Sequence, residues 1–125
     1  MSWNDITRTP ADNLFSKYVR LRDRKCLRCG LKGGGDLGIT GLQCSHFYGR
    51  RKQSVRFDLE NADSLCPMCH KHFTEHKTEY EEWKLKRMGQ KAYDLLLLRS
   101  NTTGKKDYKL QQMIWREMLK EDFNI

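Results

Sequence analysis

The chain has 125 residues, of which 38% are hydrophobic and 32% are charged, and its mean hydropathy is −0.84. This length predicts one compact domain over residues 1–125 with a modest core. The longest apolar run, residues 95–98, is too short to cross a membrane, and the opening MSWNDITRTP lacks the pattern of a signal peptide. We therefore expect an intracellular, cytoplasmic protein without a membrane partner.

The charge is concentrated in the first half of the chain. Residues 1–58 contain 12 Lys and Arg against 5 Asp and Glu, whereas residues 59–125 contain 12 against 11. Nearly all of the formal net charge of +8 therefore lies before residue 59. This asymmetry predicts a polyanionic partner, most simply nucleic acid. The alternative, a charge that serves only solubility, would spread the excess evenly.

The first predicted element is a basic helix over residues 12–25, with Asp12 after Pro10 as its N-cap. Its apolar residues recur at helical spacing and are Leu14, Phe15, Tyr18, Val19 and Leu21. The other face is basic and carries Lys17, Arg20, Arg22 and Arg24. Six of the nine glycines follow between Gly30 and Gly41, which predicts a flexible hairpin or loop.

Two short strands are predicted next, at 42–48 and 54–59, joined by a polar turn. They lie inside a central segment, 26–76, that also carries the cysteine pairs. Phe47 and Tyr48 are expected to pack beneath the strands.

Helices are predicted for the rest of the chain, 77–125, after a helix that begins near Cys69. Gly89 is expected to interrupt them, and a short helix over 91–99 follows. A closing helix over 109–123 carries the apolar stripe Leu110, Met113, Ile114 and Met118. That stripe either completes the core or meets a second copy, so the oligomeric state is open.

Four of the five cysteines form two Cys-x-x-Cys pairs, Cys26 with Cys29 and Cys66 with Cys69. Two such pairs complete a tetrahedral site, and in an intracellular protein they predict a closed, structural zinc ion rather than disulfides. Buried free cysteines are the alternative. Cys44 is expected to be a small buried hydrophobic residue; a second interpretation groups Cys44 and His46 with His70 and His72 as another zinc cluster.

A further pattern places His46 first, Asn61 next, and His70 directly after the second cysteine pair. With Ser45, Arg50-Arg51, Arg56-Phe57-Asp58, Leu65 and Thr74, the run resembles HNH nucleases of the zinc-knuckle type. It is most similar to the NinG/Rap recombination nucleases of phages. The resemblance extends over residues 12–90 and does not cover the last 30 or so.

The resemblance implies an α+β fold with a ββα-metal core, stapled by the four-cysteine zinc site and flanked by helices. It implies that His46 is the general base, that Asn61 positions His46 through a side-chain hydrogen bond, and that His70 binds a catalytic cation, which is Mg²⁺, Mn²⁺ or another divalent ion. The expected activity is hydrolysis of phosphodiester bonds in DNA, by nicking or by resolving branched recombination intermediates. A phage or prophage gene expressed in a bacterial host is the implied setting.

Three arginines near His46 are expected to contact the DNA backbone: Arg50, Arg51 and Arg56. Guanidinium groups match phosphate oxygens, although a solvated basic loop has the same composition. Ser45 departs from the Asp or His that many HNH enzymes carry before the base, which leaves the ligand set of the catalytic ion open. The rival function is a non-catalytic zinc module that binds nucleic acid. An adaptor that docks through the closing helix is a third possibility.

Overall fold

The computed structural model describes residues 7–125 and has an α+β fold; the opening residues used above to exclude a signal peptide lie partly outside this range. Within it there are five α-helices and one antiparallel pair of strands. In chain order the elements are α1 (Pro10–Asp23), β1 (Gln43–His46), β2 (Ala62–Leu65), α2 (Pro67–Glu75), α3 (Lys77–Met88), α4 (Gln90–Ser100) and α5 (Tyr108–Phe123). The α+β prediction is thereby confirmed.

Helix α1 begins earlier than predicted because Thr9, not Asp12, is its N-cap. The Asp12 amide donates to Thr9 Oγ1 at 3.2 Å, and the Thr9 amide donates back to Asp12 Oδ2 at 2.7 Å. This reciprocal pair is a capping box, with Pro10 at the first helical position. One arginine of the predicted basic face makes contacts within the protein: Arg22 donates to the carbonyls of Leu59 and Ala62, each at 2.8 Å.

The segment between α1 and β1 forms two tight hairpins. The first encloses residues 25–32, where the Gly30 amide donates to the Cys26 carbonyl at 2.8 Å and Gly30 has a φ of +82°. Glycine adopts this left-handed conformation without the penalty that a Cβ atom brings. The second hairpin is closed by a bridge between Gly34 and Thr40. The glycine-rich hairpin is therefore confirmed.

The strand predicted at 54–59 is wrong, because that segment forms two single 3-10 turns, Gln53–Val55 and Leu59–Asn61. The second strand is instead Ala62–Leu65, which pairs with β1 so that His46 faces Ala62 and Gln43 faces Leu65. Asp58 begins the second turn by accepting a hydrogen bond from the Glu60 amide at 3.0 Å.

The helices after β2 break at two points. Cys66 caps α2, Gly89 separates α3 from α4 as predicted, and His76 makes an additional break between α2 and α3. Tyr80 and Trp83 face the interior of this part of the fold, where they pack with Phe73 and Phe47.

Helix α5 packs on α1, but not through most of its predicted apolar stripe. Leu110, Met113 and Ile114 are exposed, and the contact is made by Trp115 and Leu119, with Met118 partly buried against them. The Trp115 ring lies with its centroid 4.9 Å from that of Phe15. Aromatic side chains bury more apolar area than Leu or Met, and this explains the choice of face.

In the described range of 7–125, no helix combines the length and the apolar character that crossing a bilayer requires.

Candidate functional site

The two predicted cysteine knuckles come together into one cluster. Cys26 and Cys29 lie on the hairpin after α1, while Cys66 and Cys69 lie at the start of α2. The first knuckle is tied to the sheet by the Leu27 amide, which donates to the Ser64 carbonyl at 2.9 Å. All four sulfur atoms lie within 4.8 Å of one another. The four cysteines are therefore placed to hold one metal ion, such as zinc.

The geometry of this cluster suits a tetrahedral thiolate site. Sulfur atoms bound to one zinc ion at about 2.3 Å are separated by about 3.8 Å, and Cys29 Sγ lies 3.8 Å from Cys66 Sγ. Burial raises the pKa of Cys69 to about 12. For Cys26 burial also acts to raise the pKa, but backbone hydrogen bonds outweigh it and bring the value to about 7. A bound cation would offset the remaining cost of gathering four thiolates.

His46, at the end of β1, is half-buried against α1, with its ring centroid 5.7 Å from that of Phe15. Its Nε2 lies 3.0 Å from the backbone carbonyl oxygen of Arg56. A carbonyl only accepts hydrogen bonds, so Nε2 carries the proton and Nδ1 keeps its lone pair. Burial lowers the pKa of His46 to about 4, and the imidazole is therefore neutral at pH 7.

Asn61 is fully buried, and its side chain holds together the backbone of the loop between β1 and β2. Its Oδ1 accepts from the Tyr48 amide at 2.8 Å, and its Nδ2 donates to the carbonyls of Tyr48 and Val55 at 2.8 and 3.1 Å. Among the described residues it makes no side-chain hydrogen bond to His46, so that part of the prediction is wrong. Both ends of the side-chain amide are occupied by backbone, and Asn61 supports His46 through the following residues, since its backbone carbonyl also accepts from the Phe47 amide at 2.8 Å.

His70 lies in the first turn of α2, where its Nδ1 is 2.7 Å from Gln43 Oε1. Because an amide oxygen accepts, this contact assigns the proton to Nδ1 and leaves the Nε2 lone pair available to a ligand. His70 also lines a cleft of about 380 Å³ between α1, β1 and α2, together with Arg8, Ser16, Arg20, Leu42, Gln43 and Cys44.

Cys44 relates the cleft to His46 along β1, since Cys44 is one of the lining residues. Cys44 and His46 are two residues apart on β1, so their side chains point to one face. Arg8 lines the cleft, and its positive charge also helps to lower the pKa of His46, although burial has a larger effect. Sequence reasoning did not identify Arg8 or Gln43, since neither belongs to a recognisable motif.

The three predicted phosphate-binding arginines have different environments. Arg51 is exposed, and Arg50 is 26% exposed with its Nη1 3.9 Å from Asp12 Oδ2. Within residues 7–125 that Nη1 makes no hydrogen bond. Arg56 is 0% exposed, and it donates to both carboxylate oxygens of Asp12 at 3.0 and 2.7 Å. The prediction that Arg56 contacts phosphate is therefore wrong, because its guanidinium is enclosed in the core.

Two other polar side chains of the motif, Ser45 and Asp58, have partners within the fold. The Ser45 hydroxyl is buried and lies 2.8 Å from the Tyr80 hydroxyl. Asp58 accepts from Arg99 Nε at 2.7 Å. In the part of the chain that the structure describes, Cys44, His46 and His70 belong to no cluster of three metal-ligand side chains. The second zinc cluster considered above is therefore wrong.

One cluster of ligand side chains lies elsewhere, at the junction of α2 and α3, and consists of His72, His76 and Glu79. The one-turn spacing of the two histidines was visible in the sequence. Glu79 joins them only because the chain turns at His76.

No protein-family model matches the chain, and neither does any curated protein or any solved structure. The resemblance to HNH nucleases accordingly depends on the residues of the motif alone.

Proposed function

We propose that the protein is a metal-dependent DNA endonuclease of the HNH type, with His46 as its general base. The observation that carries the proposal is the 3.0 Å contact of His46 Nε2 with the Arg56 carbonyl. This contact orients the ring and presents an unprotonated Nδ1, which is what a base that accepts a proton from water needs. The antiparallel strands followed by α2 supply the order of elements that a ββα-metal core requires.

His46 acts in its neutral form. Its low pKa keeps the imidazole uncharged at pH 7, and a bound phosphate, being negative, would raise that pKa toward the working range. Nδ1 accepts a proton from a water molecule as the water oxygen attacks phosphorus. The leaving 3′ oxygen departs on the opposite side, and the expected products carry 5′-phosphate and 3′-hydroxyl ends.

His70 is the residue of this site that would hold the catalytic cation, through Nε2. Such an ion supplies positive charge for the oxygens of the pentacovalent phosphorus. An ion held by one imidazole must take its other ligands from water and the substrate phosphate. Imidazole is a preferred ligand of transition metals rather than of Mg²⁺, so this donor favours an ion such as Mn²⁺ or a softer one.

The DNA backbone would lie along the basic surface around the cleft. Arg50 is partly exposed, although its Nη1 atom is buried 3.9 Å from Asp12 Oδ2 and has no hydrogen-bond acceptor among residues 7–125. Arg51 is exposed in the same turn, and Arg8 and Arg20 line the cleft beside His70. Guanidinium groups in this arrangement suit phosphate contacts rather than base recognition. The four-cysteine site beneath α2 is proposed to be a structural zinc centre.

The second candidate is a zinc-stabilised module that binds nucleic acid without cutting it. One observation favours it: among the described residues, His70 has no neighbouring His, Cys or carboxylate that would complete a three-ligand site. In that case the basic surface binds phosphate and His46 is only a packed core residue.

Cleavage of supercoiled plasmid separates these two functions. The zinc-loaded protein should produce nicked or linear DNA with Mn²⁺, Ni²⁺ or Mg²⁺, and His46→Ala should lower the rate by about 100-fold or more. Met113→Ala is the control, since it removes an exposed side chain of α5 that belongs to none of the candidate metal sites. A branched-DNA substrate run beside linear duplex tests the expected preference.

Zinc content and melting temperature are measured for every variant, so that loss of activity is distinguished from unfolding. His46→Gln provides a second variant that keeps a polar side chain against the Arg56 carbonyl. If the folded wild-type protein retards DNA in gels but cuts with none of the three ions, the nuclease proposal is wrong and the binding module replaces it.

A further inference from the structure

The junction of α2 and α3 brings together three side chains that commonly bind transition metals. His72 lies on the last turn of α2, His76 is the single residue between the helices, and Glu79 lies in the first turn of α3. One ligand atom from each lies within 4.8 Å of the other two. None of the three takes part in the four-cysteine cluster or in the proposed nuclease site.

Both histidines are already oriented. His76 Nδ1 donates to the His72 carbonyl oxygen at 2.8 Å, which leaves the lone pair on His76 Nε2. His72 Nε2 is in direct contact with Glu79 Oε2. The two imidazole rings are nearly parallel, with centroids 4.2 Å apart and an interplanar angle of 17°. Backbone hydrogen bonds of this kind fix the tautomer and the ring plane in metal sites.

The charge and exposure of the cluster suit a cation. The hydrogen bond from His72 lowers the pKa of Glu79 and thereby favours its carboxylate. The His72 side chain is 32% exposed and that of Glu79 is 52% exposed, so an ion held between them remains accessible from solvent. A cleft of about 520 Å³ adjoins His76 and Glu79 and is also lined by Glu75 and Glu82.

We propose that His72, His76 and Glu79 form a second metal site, which binds Zn²⁺ or another transition-metal ion such as Ni²⁺ or Co²⁺. Two imidazoles and one carboxylate are a donor set that Zn²⁺ accepts, with a fourth position left for water or an added ligand. The nitrogen donors select against Mg²⁺ and Ca²⁺, which prefer oxygen.

The position of this site gives it a structural consequence. His76 is the only residue between α2 and α3, so an ion that joins His72 to Glu79 fixes the angle between the two helices. Arg28 connects α2 to the four-cysteine cluster. Its Nη1 donates to Cys69 Sγ at 3.4 Å, and its guanidinium lies 5.1 Å from the ring centroid of Phe73. An ion that binds only the folded chain stabilises it by mass action.

The test is a metal titration of the full chain with its four-cysteine site already filled with zinc. Calorimetry with Ni²⁺, in a buffer that contains Mg²⁺, should show an additional site in the wild-type protein, and Ni²⁺ should raise its melting temperature. His76→Ala and Glu79→Gln should each weaken that site by at least 10-fold and abolish the rise. Glu81→Gln is the matched control and should behave like wild type, since Glu81 is an exposed carboxylate of α3 outside both the cluster and the adjoining cleft.

Co²⁺ gives a spectroscopic readout of the same site. In zinc-filled protein it should produce weak d–d bands without the strong sulfur-to-cobalt charge transfer of a thiolate site. Absence of a second ion in wild-type protein overturns the proposal. The proposal is also overturned if His70→Ala loses the second ion while His76→Ala retains it, because the ion would then belong to the proposed nuclease site.

Discussion

The buried ion pair between Arg56 and Asp12 provides the sharpest test of the structure. The Arg56 guanidinium donates to both carboxylate oxygens of Asp12, to the Tyr108 hydroxyl at 3.0 Å and to the Thr7 carbonyl at 2.8 Å. Burial alone would raise the pKa of Asp12, but hydrogen bonds from Arg56 and Thr9 outweigh burial and lower it. Asp12 therefore remains ionised in the core, and its charge depends on Arg56.

Replacing Arg56 with Met should be strongly destabilising, because it leaves the Asp12 carboxylate buried without its counter-charge. Breaking one partner of such a pair costs about 3–5 kcal/mol, out of a total stability of roughly 5–15 kcal/mol for a domain. For a chain of this length each kcal/mol corresponds to about 3–6 °C. The melting temperature of Arg56→Met should accordingly fall by about 10–25 °C at pH 7.

Thermal unfolding followed by circular dichroism measures this shift, with Arg51→Ala as the control. Arg51 is exposed in the preceding turn, so its removal should change stability by no more than about 0.5 kcal/mol while weakening DNA binding. The double variant Asp12→Leu/Arg56→Met should recover part of the loss, since it removes both charges. A melting temperature of Arg56→Met within a few degrees of wild type would refute the buried pair and restore Arg56 as a DNA contact.

Three other measurements test separate parts of the fold. Cys66→Ser should lose zinc and unfold, since structural zinc contributes about 10–16 kcal/mol in small domains; metal analysis and circular dichroism would show a folded, zinc-free variant if the prediction is wrong. His46 has a folded pKa of about 4 against an ordinary 6.5, so its contribution to stability is complete above pH 6.5 and is lost as the pH falls toward 4, by about 3 kcal/mol. Urea midpoints at pH 7 and 5 should therefore differ more for wild type than for His46→Gln, and equal differences would contradict the pKa. Gly33→Ala should cost about 1–3 kcal/mol, because its Cβ would lie 2.3 Å from the Gly38 carbonyl oxygen, whereas Gly49→Ala has no atom within 4 Å to meet and should melt like wild type.

The sequence could predict the four-cysteine cluster because the chemistry of the ligands is local. Each Cys-x-x-Cys pair makes its own turn, and only the meeting of the two turns is a long-range event. The glycine hairpin and the break at Gly89 were equally visible, since glycine limits what the backbone does nearby.

The second strand was misplaced for a physical reason. The alternation of Val55, Arg56 and Phe57 resembles a half-buried strand, with Arg56 on its polar face. In the structure Arg56 points inward to Asp12, 44 residues earlier in the chain, and the backbone turns around it. A pairing between two charged residues at that separation leaves no trace in local periodicity. The buried face of α5 was predicted wrongly for a similar reason, since it depends on contacts with the aromatic side chains of α1.

His70 directly follows the four-cysteine cluster in the chain. Buried residues form two groups, and the cysteines Cys26, Cys66 and Cys69 belong to the second group, beneath α2. The side chain of Cys66 caps α2, and Cys69 directly precedes His70, so two cysteines of the cluster lie in the turn that begins this helix. His46, by contrast, is held by the first group through Phe15. The two histidines of the proposed site are thus positioned by different parts of the fold, since Phe15 of the first group contacts His46 and Cys69 of the second group directly precedes His70.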